Sequence, residues 1–208
     1  MKKGLFITFE GGDGAGKTTQ INILRDKLIN EGYDVLLTRE PGGTAISEKI
    51  REIILDRDNS EMDPMTEAML YAAARAQLVN EVIKPALEEG KVIICDRFVD
   101  SSIAYQSYGR GLGDSVGVIN SFAIGDYMPD MTILLKVDPK TGNRRICGRE
   151  QDRDRIELAP DEFHLKVYEG YLALEKKYPD RIVGIDAGRT IEEISAVISE
   201  KVNELLEK

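Results

Sequence analysis

Apolar positions follow two alternating rhythms along this chain: tight runs of strand length, and longer stretches with a helical repeat. The tight runs are Leu5 to Phe9, Val35 to Leu37, Val92 to Cys95, Met131 to Val137 and Ile182 to Ile185. Between them, helical spacing predicts helices over about 17–30, 45–55, 65–89, 101–108, 114–124 and 160–177, and one from Thr190 to the C-terminus. Asp138-Pro139 opens a further helix that carries Arg144 and Arg145. The punctuation agrees with these boundaries: Gly32 ends the first helix, Asp63-Pro64 caps the third, and Thr190 with Glu193 forms a capping box. Pro85 is expected to kink the long helix of residues 65–89. Val92 to Cys95 is apolar at every position, as a central strand buried on both faces must be. Five strands alternating with helices predict an α/β fold: a five-stranded parallel sheet in a three-layer α/β/α arrangement, with ligands outside the carboxyl ends of the strands. No repeat or linker divides the chain, so one domain over 1–208 is expected.

The first strand runs into Gly11-Gly12-Asp13-Gly14-Ala15-Gly16-Lys17-Thr18, the G-x-x-x-x-G-K-[ST] pattern, and a helical pattern follows at once through Thr19. Glycines let successive backbone N–H groups converge on phosphate oxygens, and the helix that starts there adds its positive dipole end. Lys17 supplies a mobile charge for the outer phosphates, and the Thr18 hydroxyl is placed to ligate Mg²⁺. A nucleoside triphosphate is the implied ligand, and the P-loop NTPase fold the implied architecture.

Arg39, Arg75, Arg97 and Arg110 lie in or beside segments bordering that rim. Guanidinium forks match phosphate oxygens in a bidentate way, so a second, phosphate-bearing substrate is implied. Residues 149–157, with Gly148 before them, lose hydrophobic periodicity and carry Arg149, Arg153 and Arg155. They predict a lid over about 148–157 that closes on the ligands and delivers arginines to the transferring phosphoryl group. Asp96 ends the central strand as a Walker-B carboxylate would, to hold Mg²⁺ directly or through water, with an ion pair to Arg97 as the plainer alternative. Asp13, inside a phosphate loop, needs a sugar hydroxyl or the Mg²⁺ shell to meet. His164, the single histidine, is assigned a structural place, because a phosphate dianion attacks without a base.

The net charge of −9 excludes nonspecific nucleic-acid binding and confines phosphate recognition to local arginines. With 42% hydrophobic and 31% charged residues and no membrane-length apolar run, the chain is expected to be cytoplasmic, with no membrane partner. Cys95 and Cys147 show no metal-type spacing, which fits a reduced compartment.

Across almost its whole length the sequence resembles bacterial thymidylate kinases, nucleoside monophosphate kinases that phosphorylate dTMP to dTDP with ATP. The resemblance rests on Phe9 to Gln20, Thr38-Arg39-Glu40-Pro41-Gly42-Gly43-Thr44, Tyr71 to Gln77, Asp96-Arg97, Ala104-Tyr105-Gln106, Gly109-Arg110-Gly111 and Asp154-Arg155-Ile156-Glu157. It implies that Arg39 and Arg97 clamp the monophosphate, that Tyr71 stacks on thymine, and that Arg75 and Gln106 meet its polar edges. It also implies that Tyr105 crowds the ribose C2′ and that Ser101, Ser102 and Arg155 belong to the dTMP site. Asp13 would meet the 3′-hydroxyl or the metal shell. The loop around Asp186-Ala187-Gly188, with Arg145, falls on the ATP side. Some relatives carry a basic residue in the phosphate loop where this chain has Gly14; the resemblance therefore assigns it to the type whose catalytic arginines, Arg149 and Arg153, sit on the lid beside Lys17 and Arg97. A homodimer is implied as well.

Two other classes are weighed against this. A P-loop switch protein would show an Asn-Lys-x-Asp guanine-reading motif, and none occurs. A kinase for a different small molecule leaves the set of Arg39, Tyr71 and Arg75 without a purpose.

Overall fold

The computed structural model describes residues 4–145 and 153–207. Its strands are β1 (Leu5–Glu10), β2 (Val35–Arg39), β3 (Val92–Asp96), β4 (Met131–Lys136) and β5 (Ile182–Asp186). They form one sheet in the order β2-β3-β1-β4-β5, parallel at every pairing, as the alternation predicts. The helices are α1 (Lys17–Asn30), α2 (Ala45–Leu55), α3 (Pro64–Leu78), α4 (Lys84–Glu88), α5 (Val99–Ser102), α6 (Ser115–Ile124), α7 (Pro139–Arg145), α8 (Asp161–Lys177) and α9 (Ile191–Leu206).

Period-two alternation in the buried strands divides the core between the two faces. Ile7, Phe9 and Ile94 pack with Leu24 and Leu28 of α1 and Ile194, Ile198 and Val202 of α9. On the other face Phe6, Ile93 and Cys95 pack with Leu78, Ile83 and Phe98. A third cluster joins Leu134 and Ile182 to Tyr105 and to Phe163, Val167 and Tyr171 of α8. Full burial of each such side chain contributes roughly 1.5–3 kcal/mol. Thr44, Asp63 and Thr190 cap α2, α3 and α9 through their side chains, and Thr190 with Glu193 completes the capping box.

The long helix predicted over 65–89 is divided differently. α3 ends at Leu78, a wide π-type turn spans Val79–Ile83, and Pro85 sits in the first turn of α4. A proline ring crowds the carbonyl four residues back and offers no N–H. The disruption therefore falls in the turn before Pro85 rather than at it. The helix predicted over 101–108 likewise starts earlier, at Val99, and opens into wide turns over Ile103–Gly109. There the Arg110 N–H donates to the Tyr105 carbonyl, five residues back, at 2.9 Å. Such turns re-aim side chains relative to a regular helix, and this one carries Tyr105 and Gln106.

Strand register sets the level of the rim. Arg39, Asp96 and Phe9 are aligned across β2, β3 and β1. The segments after these strands therefore emerge side by side, with the phosphate loop in the middle of the sheet.

Candidate active site

The chain leaves β1 through glycines with φ of 134° at Gly11, 73° at Gly14 and 90° at Gly16, values that L side chains rarely adopt. A Cβ at Gly14 would also collide with the carbonyl of Gly142 on α7. As the chain is folded, position 14 therefore has no room for a longer, basic side chain. Lys17 is buried and folds back over the loop, its Nζ donating to the carbonyls of Gly11 at 3.1 Å and Gly12 at 3.2 Å. Burial, then the nearby Arg97, push its ammonium below the usual lysine range.

A cleft of about 520 Å³ opens beside this loop. Residues 13–19 line one side, and Arg39, Glu40, Tyr71, Arg75, Asp96, Arg97, Ser101, Ser102, Tyr105 and Gln106 line the other, with Arg145 at one end. The arginines expected on a common rim with Lys17 therefore include Arg39, Arg75 and Arg97. Arg110 is not a lining residue; its guanidinium is turned onto Glu67 and over the Phe163 ring. Gly11 and Gly12 are not among the residues that line the cleft.

Arg97 is the one non-glycine residue with positive φ, 69°, among the described residues. Its guanidinium donates to Asp13 Oδ1 at 2.8 Å, to the Tyr171 hydroxyl at 3.2 Å and to Ser101 Oγ at 3.4 Å, and lies over the Tyr105 ring. Burial pushes the Asp13 carboxyl up, but Arg97 and Lys17 outweigh it and hold it below the usual range. Asp13 thus has a cation to meet in the protein itself.

Behind Arg97 stands a carboxylate that sequence reading missed. Glu10 is fully buried and accepts from the Phe98 N–H at 2.8 Å, the Ser101 N–H at 3.2 Å and Oγ at 2.5 Å, and the Tyr171 hydroxyl at 2.8 Å. Burial, then Asp100, raise its pKa. Its signal in the sequence is a single charge closing an apolar strand just before the phosphate loop.

Glu40 and Glu67 were missed in the same way. Arg75 is 1% exposed, and its five N–H groups are all engaged, by Glu40 Oε2 (twice), Ser102 Oγ, Asn120 Oδ1 and the Phe98 carbonyl. The expected donation from Arg75 to a base carbonyl therefore requires one of these bonds to be exchanged. Glu67, two turns before Arg75 on α3 and one before Tyr71, accepts from Gln106 Nε2 at 2.9 Å and from Arg110 and Arg155 at 3.0 and 2.8 Å. The spacing 67, 71, 75 along one helical face was the available signal.

Arg155 was expected at the dTMP site. It does not line the cleft; its Nε donates to the Ile54 carbonyl at 2.9 Å and its backbone N–H to Leu55 at 3.1 Å. These bonds tie residues 153–157 to the end of α2. Asp154, Ile156 and Glu157 do reach the cleft. Of the expected lid, Arg153 is described, with a buried Nε lacking a partner among the described residues, whereas Arg149 lies outside the described residues.

At the cleft, Arg145 bridges the Gly14 carbonyl at 3.3 Å and the Ala187 carbonyl at 2.8 Å, joining the phosphate loop to the loop after β5. Asp96 Oδ1 is buried without a partner among the described residues, and Thr18, which is exposed, lines the same cleft. No cluster of three or more His, Cys, Asp or Glu side chains fit to hold a metal occurs among the described residues. One orphaned carboxylate oxygen with a hydroxyl suits a magnesium ion carried mainly by phosphates and water.

The comparisons agree with this geometry. The thymidylate kinase family model matches residues 9–198. A thymidylate kinase of Oceanobacillus iheyensis is 52% identical over 205 residues, covering 98% of this chain and 91% of that protein. One of Bacillus velezensis is 49% identical over 207 residues, covering 99% and 98%. A crystal structure of thymidylate kinase from Ehrlichia chaffeensis superposes with a TM-score of 0.79 at 33% identity, covering 97% of this chain and 99% of that one. The chain belongs to the thymidylate kinase family.

Glu40 gives a testable pH dependence. Burial pushes its carboxyl up from 4.5 to about 7 against the opposing pull of Arg75. A raised folded-state pKa stabilises the fold below the ordinary value and loses that contribution as pH rises through about 7. In urea unfolding at a series of pH values, Glu40→Gln is expected to lose less stability than the native chain between about pH 5 and 7. Parallel curves would overturn the assignment.

Proposed function

We propose that this member of the thymidylate kinase family carries out its reaction across the cleft, between a triphosphate on the loop at Gly11 to Thr19 and a monophosphate at Arg39 and Arg97. The protein is an ATP-dependent phosphotransferase that converts dTMP to dTDP. A dTMP phosphate oxygen forms a bond to the ATP γ-phosphorus as the bond to the β-γ bridging oxygen breaks, and ADP leaves. The observation that carries the residue-level reading is the common rim: Lys17, Arg39, Asp96 and Arg97 line a single cleft.

Lys17 exchanges its two loop carbonyls for the outer phosphates. Arg97, held by Asp13 and the Tyr171 hydroxyl, and Arg39, held by Glu48 at 2.9 Å, clamp the monophosphate. Tyr71 stacks on the base, and Arg75 and Gln106 meet its edges. Tyr105, 7% exposed and packed edge-on against Phe163 and Tyr171, is rigid enough to exclude a ribose 2′-hydroxyl. Arg149 and Arg153 supply the lid charge to the transferring group. Thr18 and Asp96, with Asp13 near by, would hold Mg²⁺. Bound there, the ion would supply charge neutralisation for the transferring phosphoryl group.

Residues 1–208 act as one nucleoside monophosphate kinase domain. No helix among the described residues is long and apolar enough to cross a membrane, which is compatible with a cytoplasmic location. The protein works as a homodimer. Ile46 and Ile53 on α2, Met69 on α3, and Val118 and Phe122 on α6 are exposed, Phe122 by 85%, and α3 packs against both α2 and α6. These exposed apolar side chains on neighbouring helices are the surface offered to a second copy. Sedimentation is expected to give twice the 23.2 kDa chain mass; a monomer at micromolar concentration overturns this.

Product analysis with ATP and Mg²⁺ tests the core of the reading. dTMP is expected to turn over far faster than dCMP, dGMP, AMP or UMP, and comparable turnover of another monophosphate would sink the assignment. In the same assay Arg149→Ala or Arg153→Ala lowers kcat by about 10³ or more with little change in the KM for dTMP. A rise in KM alone would move that arginine to the clamp. Asp96→Asn raises the Mg²⁺ concentration for half-maximal rate by about tenfold or more; an unchanged requirement removes Asp96 from the metal site.

A further inference from the structure

Gln106 is 1% exposed and shares the cleft wall with Tyr71 and Arg75. A primary amide has polarity: one end only donates, the other only accepts. The end that faces the cleft therefore decides which base edge is tolerated. Gln106 Nε2 donates to Glu67 Oε1 at 2.9 Å. Glu67 is itself buried, and Arg110 reaches it through Nε at 3.2 Å and Nη2 at 3.0 Å, Arg155 through Nη2 at 2.8 Å. Burial raises the Glu67 carboxyl, but these donors, Arg110 foremost, hold it below the usual range. The carboxylate is ionised and can only accept. Turning the Gln106 amide over would press its carbonyl against a buried anion and leave both without a proton between them. The bond to Glu67 thus fixes the amide with its carbonyl oxygen at the end away from Glu67.

We propose that Glu67 is a specificity-determining positioning residue: by fixing the amide orientation of Gln106, it makes the cleft present an acceptor to the pyrimidine edge. Thymine meets that acceptor with its N3–H. Cytosine meets it with the N3 lone pair, so two acceptors face each other in a desolvated pocket. Two guanidiniums that never touch the base enforce the choice by keeping Glu67 an acceptor. The inference rests on the reading that Gln106 meets the base, and the experiment separates the two.

The measurement is kcat/KM for dTMP and for dCMP, taken as a ratio, in the native chain, Glu67→Gln and Gln106→Leu. In Glu67→Gln the arginines claim the new carbonyl, so the new NH₂ faces Gln106 and turns its amide over. The dTMP-over-dCMP ratio is expected to narrow by about tenfold or more, with dCMP turnover rising in absolute terms. A purely structural role lowers both substrates alike, and an unchanged ratio overturns the proposal. If Gln106→Leu collapses the ratio while Glu67→Gln preserves it, orientation by Glu67 is wrong and base reading by Gln106 stands. If Gln106→Leu leaves the ratio intact, the base reading itself fails. Should Glu67→Gln not fold, nuclear Overhauser contacts in the native dTMP complex decide. The Gln106 NH₂ protons are expected to lie closer to the Glu67 γ-protons than to the thymine N3 proton, and the reverse order overturns the proposal.

Discussion

Positive charges packed along one edge of a sheet repel one another, and burial amplifies the repulsion because little water screens it. Lys17, Arg75 and Arg97 are all buried or half-buried around one cleft. What makes the arrangement stable is a matching set of carboxylates, Asp13 and Glu40 on the cleft wall and Glu10 and Glu67 behind it. Glu10 and Asp13 serve Arg97, Glu40 serves Arg75, and Glu67 serves Arg110 and Arg155. Glu10 does so through hydroxyls: Ser101 and Tyr171 each hydrogen-bond to Glu10 and take an N–H from Arg97. A chain with net charge −9 can therefore carry a rim of arginines, because a few buried or cleft-lining acids pair with them locally.

The same buried acids explain what was legible in the sequence and what was not. The phosphate loop, the strand alternation and the residues closing β2 and β3 are local patterns, and chain order alone places them on one rim. Partners in the supporting layer are not local. Glu10 meets Tyr171 across 161 positions and Glu67 meets Arg155 across 88. Each acid looks in the sequence like an ordinary surface charge. Only its position within an apolar strand (Glu10) or on the helical face of Tyr71 and Arg75 (Glu67) marks it as buried. Arg110 and Arg155 were placed in or near the ligand site because arginine type and motif position point to phosphate. Contact with Glu67, which periodicity does not reveal, is what removes them to the supporting layer.

Wide turns account for another part of the difference. Helical spacing over 101–108 predicts a regular helix, yet the turns over Ile103–Gly109 set Tyr105 and Gln106 against the cleft while α8 packs behind them. Gly109 and Gly170 permit that approach: a Cβ at Gly170 would lie 2.9 Å from the Tyr108 ring, and one at Gly109 would lie 2.7 Å from Phe163. The helix following residues 153–157 is thereby in direct contact with the segment that lines the substrate side. Its Tyr171 touches Arg97 as well.

The rim arginines fall into two kinds by how tightly the protein holds them, and the magnitudes assign their work. Arg39 is half-exposed and paired with the exposed Glu48, an interaction worth about 0–1 kcal/mol. Exchanging that partner for a phosphate dianion costs little, and Arg39 is free to follow the ligand. Arg75 is buried with every N–H engaged, and breaking a buried pair costs about 3–5 kcal/mol. A ligand that drew Arg75 away from Glu40 would have to supply that much in return. Arg75 can more cheaply exchange its bond to the Ser102 hydroxyl, a neutral contact worth about 1 kcal/mol. Its guanidinium then stays on Glu40 while one Nη1 donor turns to the base. Arg97 lies between these limits, 19% exposed, its Asp13 partner charged but its other partners neutral hydroxyls. On the proposed reading, phosphate binding at this rim would be graded: Arg39 would move to the ligand, Arg97 would exchange hydroxyls for phosphate oxygens, and Arg75 would hold the geometry against which both are set.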